Sequence, residues 1–274
     1  MPKVNVTATK PARVPAYIDE LQSQGRYTLL REEVCAEVGG TEVAIQNSLW
    51  RLLKKNRIVN PRRGFFVIVP LEYRTAGVPP ASWFIDALMR YMRQPYYVGL
   101  RSAAVVHGTI PSVKEPHQVE PFQIITTKPI REIVVGNLRL CFITKRNLAS
   151  TPVMEVKSVT GTMRVSTPEA TALDLVRYQS QVGHLITVVP MLRDLAKTLD
   201  PARLMAAAQA EIELSCVQRF GYLMELVGQM PLVQPLWQWL QDQKRAAVLL
   251  KPGLYVAGVP TNRRWSVVVN DEIR

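Results

Sequence analysis

Residues 164–178 read RVSTPEATALDLVRY and gather Ser166, Thr167, Glu169, Thr171 and Asp174 in one short apolar stretch. Hydroxyls beside carboxylates are the groups that nucleophilic and general acid–base chemistry uses. The same residues also start helices. Ser166 and Glu169 form an S-x-x-E capping box, and Pro168 suits a first turn. Ala170, Leu173 and positions 176–178 then supply an apolar face. We read the stretch as a helix start. Asp174 is expected to pair with Arg177 or Tyr178 one turn on, and the burial of Thr171 stays open.

Other candidates for chemistry are weaker. Glu155 and Lys157 make the E-x-K triplet of metal-dependent nucleases, which also need an upstream Asp to hold the metal. No Asp lies between residues 87 and 173, so the triplet reads as alternation along a strand. His107, His117 and His184 have no metal-ligand spacing with one another or with Cys35, Cys141 and Cys216. The cysteines are odd in number and form no C-x-x-C, as expected of reduced, buried thiols in a cytoplasmic protein. There is no G-x-S-x-G, glycine-rich phosphate loop or paired Asp-x-Asp. We expect no catalytic residue, metal or cofactor.

Recognition chemistry fits an earlier segment. In TEVAIQNSLWRLLKKN (41–56), Ile45, Leu49, Leu52 and Leu53 share one helical face. The opposite arc carries Val43, Asn47, Trp50, Arg51 and Lys54, which offer hydrogen bonds to base edges and cations to phosphates. Trp50 either belongs to that contact face or packs on the following hairpin or another domain. Next comes RIVNPRRGFFVIV, read as strands 57–59 and 65–69 around an Asn-Pro-Arg-Arg-Gly turn. Residues 43–71 contain no acid and six cations: Arg51, Lys54, Lys55, Arg57, Arg62 and Arg63. A helix followed by a hairpin tipped with two arginines is the plan of a winged helix-turn-helix. Asn47, Trp50, Arg51, Lys54, Lys55, Arg62 and Arg63 are therefore the candidate contacts to double-stranded DNA.

Those residues need elements to hold them. Val14, Ile18 and Leu21 mark a first helix stopped by Gly25, and Thr28 is positioned to cap a second that ends at Gly39-Gly40. Thr41 caps the third, and two helices joined by a glycine turn fit the helix-turn-helix plan. Residues 71–80 read as a linker. Helices at 82–93 and 100–107 precede β-rich runs PFQIITTK, REIVV, LRLCFITK, MEVKSV and TMRVS, with hairpin turns at Gly136-Asn137 and Gly161. After 166 the pattern is helical, at 184–197, 201–212, 214–228 and 232–244, closing on GLYVAGVPTNRRWSVVVN as two strands about a turn. The expected fold is multidomain α+β. It comprises a winged helix-turn-helix (1–78), a middle unit with a mostly antiparallel sheet (79–165), and a mainly helical domain ending in a β-hairpin (166–274). Charge follows that division. Residues 1–80 hold 12 Lys/Arg against 7 Asp/Glu, 81–165 hold 11 against 5, and 166–274 hold 11 against 10. A basic front on a near-neutral back points to a polyanion partner. No apolar run reaches the roughly 18 residues of a membrane span. The first residues lack a signal peptide's apolar core.

The basic front, then STPEATALDLV (166–176), QRFGYLMELVG (218–228) and RRWSVVVN (263–270), resembles the AbiEi-type antitoxins of type IV toxin–antitoxin (abortive infection, phage-defence) operons. The resemblance runs over nearly the whole chain in the family's order. It implies that the N-terminal domain binds inverted repeats in the operon's own promoter and represses it, through residues 41–55 and the tip Arg62-Arg63. It implies that the C-terminal domain counters a cognate nucleotidyltransferase toxin. The Gly-Ser plus Asp-x-Asp pattern of such toxins is absent, so the chain resembles the antitoxin and not its partner. The alternative from the residues alone is a stand-alone winged-helix regulator whose C-terminal region senses a ligand or partner.

Overall fold

The computed structural model describes residues 13–109, 120–254 and 256–271; the first twelve residues and His117 lie outside that set. These residues divide into two units. One comprises Met1–Gln94, Arg131–Leu140 and Lys157–Met163, and the other Pro95–Ile130, Cys141–Val156 and Arg164–Arg274.

In the first unit, helix α1 (Val14–Ser23) buries Val14, Tyr17, Ile18 and Leu21 on one face. Strand β1 (Thr28–Leu30) follows, then α2 (Arg31–Val38) and α3 (Glu42–Lys54). Thr28 does not cap α2. It is drawn into β1 by pairing with Val67, and the cap is supplied by Glu33, whose Oε2 accepts from Leu30 N–H at 3.1 Å. Thr41 does cap α3, its Oγ1 accepting from Ala44 N–H at 3.3 Å. Ile45, Leu49 and Leu52 face inward and join Ile18, Leu21, Leu29, Val34, Ile58, Phe66 and Ile68 in one apolar core. Strands β2 (Ile58–Arg62) and β3 (Phe65–Ile68) complete a three-stranded sheet in the order β1-β3-β2. β2 runs longer than expected. A bulge between Val59 and Arg62 absorbs Pro61, which cannot donate to the ladder, and the turn shrinks to Arg63-Gly64. The stretch read as a linker is packed: Val78 and Pro79 are buried, and Asn137 N–H donates to Ala76 O at 3.0 Å. Helix α4 (Ile85–Tyr91) closes the segment.

Six strands form a mixed sheet in the order β6-β7-β5-β4-β9-β8. They are β4 (Tyr96–Val98), β5 (Phe122–Thr126), β6 (Ile133–Val135), β7 (Leu138–Thr144), β8 (Val153–Ser158) and β9 (Gly161–Ser166). β4 is the strand that the sequence pattern did not reveal; it pairs antiparallel with β5 and parallel with β9, at Val98 and Val165. Helix α5 (Leu100–Val106) follows it directly.

In the second unit five helices follow β9: α6 (Pro168–Arg177), α7 (His184–Leu195), α8 (Pro201–Ala210), α9 (Leu214–Leu226) and α10 (Met230–Gln241). α6 is central. Every residue from 169 to 176 is buried, against an expectation of one apolar face, because α5, α7, α8 and α9 pack around it. The end of the chain is a small sheet in the order β10-β12-β11, built from β10 (Val248–Leu249), β11 (Thr261–Asn262) and β12 (Val267–Val268). The hairpin turn therefore falls after Asn262 and not before it. The stretch expected as its first strand is mostly turn, and Tyr255 lies outside the described residues.

Candidate nucleic-acid interface

All seven candidate contacts are exposed: Asn47, Trp50, Arg51, Lys54 and Lys55 on or just after α3, and Arg62 and Arg63 at the hairpin tip. The apolar positions of α3 point inward, so spacing of three and four residues puts Asn47, Trp50, Arg51 and Lys54 on the outer face. Trp50 is 54% exposed, with Lys54 Nζ 3.8 Å from the ring centroid.

Three cations close in sequence to the candidates are ion-paired. Arg26 pairs with Glu33, Arg31 with Glu42 and Arg57 with Asp19. Arg51, Lys54, Lys55, Arg62 and Arg63 form no ion pair among the described residues. Glu42, an acid in the first turn of α3, is held by Arg31 at 2.7 Å. The outer face and hairpin tip thus present uncompensated positive charge, the electrostatic requirement for a phosphate-bearing partner.

The tip is held by its backbone, which leaves its guanidinium groups free. Asn60 Nδ2 donates to Arg62 O at 2.8 Å and Phe65 O at 2.9 Å. Arg31 N–H donates to Gly64 O at 2.9 Å, and Tyr91 Oη donates to Arg63 O at 2.8 Å. Gly64, at φ +83°, supplies the left-handed residue that the turn needs. Asn60 and Tyr91 were missed in the sequence. Asn60 carried a turn signal, whereas nothing local marks Tyr91.

The 164–178 cluster is also resolved. The α6 cap is Thr167, its Oγ1 accepting from Ala170 N–H at 3.3 Å, not Ser166. Pro168 occupies the first helical position, which leaves the preceding residue to cap. Ser166 and Thr171 are buried and share a hydrogen bond of 2.6 Å. Glu169 does not turn back on the helix start; its Oε1 accepts from Asp200 N–H at 3.2 Å and Arg203 Nε at 3.1 Å. Asp174 does not make a side-chain pair with Arg177 or Tyr178. Fully buried, it accepts from Tyr97 Oη at 2.7 Å and Lys145 Nζ at 2.8 Å. Lys145 also reaches Glu211 at 3.2 Å, and Arg177 pairs with Glu211 and Glu213. Burial raises the Asp174 pKa above the carboxylate range, with the Lys145 ammonium opposing. Burial draws Lys145 down, but Asp174 and Glu211 outweigh it, so its pKa is raised. The network is buried at Asp174 and Lys145 and reaches the surface at Glu213.

The other two motifs meet each other. Gln218 Nε2 donates to Ala246 O at 2.9 Å and Trp265 O at 3.0 Å. Gly221 lies against the fully buried Trp265 ring, whose Nε1 donates to Glu225. Asn270 closes the loop before β11 by bonding Lys251 N–H and O, each at 2.9 Å. Glu155 and Lys157 are exposed on β8. His107 is half-buried, its Nε2 2.7 Å from Ser166 O. Among the described residues no three His, Cys, Asp or Glu side chains gather at one point. Among them too, no helix is long and apolar enough to cross a membrane.

A helix and hairpin carrying unpaired cations are followed in the chain by an α+β unit built round one buried helix. Residues 97–226 match the family described as AbiEi antitoxin C-terminal domain. The match begins two residues after the second unit does, covers the 166–176 motif and reaches into 218–228. No curated protein sequence matches the chain. Among solved structures, the crystal structure of RV2827C protein from Mycobacterium tuberculosis is similar, with a TM-score of 0.65 at 14% identity. The likeness covers 96% of this chain and 94% of that one, which establishes a shared fold.

Proposed function

We propose that the protein is a DNA-binding autorepressor and antitoxin of a type IV toxin–antitoxin operon, acting in the cytoplasm without catalysis or cofactor. Residues 1–78 work as a winged helix-turn-helix, with α3 in the major groove and the β2–β3 hairpin as the wing on the flanking backbone. The operator is an inverted repeat, so two copies bind with matched half-site spacing. Residues 166–274 carry the activity that counters a nucleotidyltransferase toxin, and 79–165 form the intervening domain. The observation that carries the DNA reading is the pairing pattern: five cations clustered on one helix and hairpin lack acids, while Arg26, Arg31 and Arg57 are paired. Base reading falls to Asn47, suited to adenine, and Arg51, suited to guanine.

Mobility-shift titration against the promoter, across salt concentrations, tests the reading. Arg62→Ala with Arg63→Ala is expected to weaken binding to all sequences and to flatten the salt slope by about one to two charges; an unchanged slope removes the hairpin from the interface. Asn47→Ala is expected to cost about 1–3 kcal/mol at one base pair and nothing on scrambled DNA. Equal losses on both would deny Asn47 a reading role. Co-expression of the full-length protein with the neighbouring gene product, scored for growth rescue, separates an antitoxin from a stand-alone regulator.

A further inference from the structure

We propose that Tyr91 is a positioning residue for the nucleic-acid grip: from the end of α4 its hydroxyl fixes the Arg63-Gly64 turn, and so the direction of the two tip arginines. The inference rests on the reading of the hairpin as a DNA contact and adds a residue outside it. Two observations carry it. Tyr91 Oη donates to Arg63 O at 2.8 Å, and the Tyr91 ring packs on Phe65 with centroids 5.5 Å apart. A side chain at Gly64 would place its first carbon 2.7 Å from Tyr91 Oη, so the turn and the tyrosine fit only with glycine there. Asn60 anchors the strand ends at Arg62 O and Phe65 O, but the Arg62 and Arg63 side chains face solvent and do nothing to hold the Arg63 carbonyl. Fixing the Arg63 carbonyl, just after the second arginine, removes backbone freedom that binding would otherwise have to remove. Tyr91 itself touches no nucleic acid in this account.

The test uses the full chain and promoter DNA. Tyr91→Phe keeps the ring and removes only the hydroxyl. It is expected to lower affinity about three- to tenfold and to reduce the salt slope, with an unchanged melting temperature. A double-mutant cycle supplies the reading that a purely structural role would not give. On an Arg62→Ala, Arg63→Ala background, Tyr91→Phe is expected to have no further effect. If the wild type binds through Arg62 and Arg63 but Tyr91→Phe binds as tightly with the full salt slope, the positioning role is wrong and the DNA reading stands. If Tyr91→Phe weakens binding equally with and without the arginines, the role is likewise overturned. If removing the arginines changes nothing, the hairpin reading fails first and the inference falls with it.

Discussion

Lys145→Met is expected to destabilise the second unit by about 3–5 kcal/mol, the cost of stripping one partner from a buried ion pair. The lysine side chain is 5% exposed and Asp174 0%, so loss of the ammonium leaves the carboxylate in a poorly solvated site. What remains is a carboxylate held only by Tyr97 Oη. The pH dependence follows from the direction of the Asp174 shift. Its folded pKa is raised, so its protonated form favours the folded state. That contribution is complete below the ordinary carboxylate value and is lost as pH rises through the folded pKa. Without Lys145 the rise is greater, so the deficit of Lys145→Met is expected to be larger at pH 8 than at pH 5. Urea midpoints at the two pH values check this. Adding Asp174→Asn should recover part of the loss, since a neutral amide needs no counter-charge. A double mutant no more stable than Lys145→Met would show that the pair is not the energetic unit.

Gly221→Ala carries the second large effect, and its sign opposes helix propensity. In an exposed helix interior, alanine is more favourable than glycine by about 1 kcal/mol. Here the new methyl would land on Cζ3, Cε3 and Cη2 of Trp265. The ring is 0% exposed, and its Nε1 and backbone are bound to Glu225, Asn262 and Gln218. It has nowhere to move. We expect a loss of about 3 kcal/mol, at the upper end of overpacking costs, seen as a lower melting temperature and early release of the β10-β12-β11 sheet in hydrogen exchange. Trp265→Phe in the same chain should return part of it. A Gly221→Ala protein as stable as wild type would mean that the ring does not sit on α9.

How far these features were legible depends on the distance between partners. α3 was legible because Ile45, Leu49 and Leu52 repeat at helical spacing, and the same repeat placed Asn47 and Arg51 outside. The strand runs from 121 to 166 showed themselves by length and β-branched content. β4 did not: three residues long, it gains its meaning from Val165, 67 positions away. Asp174 was misread for the same reason. A local rule offered Arg177, but the ion partner is 29 residues off and the tyrosine 77. The cap was an error of one residue that Pro168 could have prevented, since a proline in the first turn assigns the cap to the residue before it. Gly221 and Trp265 each stood out as motif letters; only the fold shows that one is the socket of the other.

The burial of α6 bears on where recognition of another protein can occur. Its side chains from 169 to 176 have no outward face, so this stretch of the family match is closed to any partner while the unit is folded. Family-wide constancy at these positions would report an internal scaffold, and changes there would reach a partner only by loosening the surfaces around it. Exposed side chains such as Ile186 and Ile212, 76% and 69% exposed, are by contrast open to a partner, and substitution there leaves the scaffold intact. A chain of this kind can thus keep its signature and still change its partner.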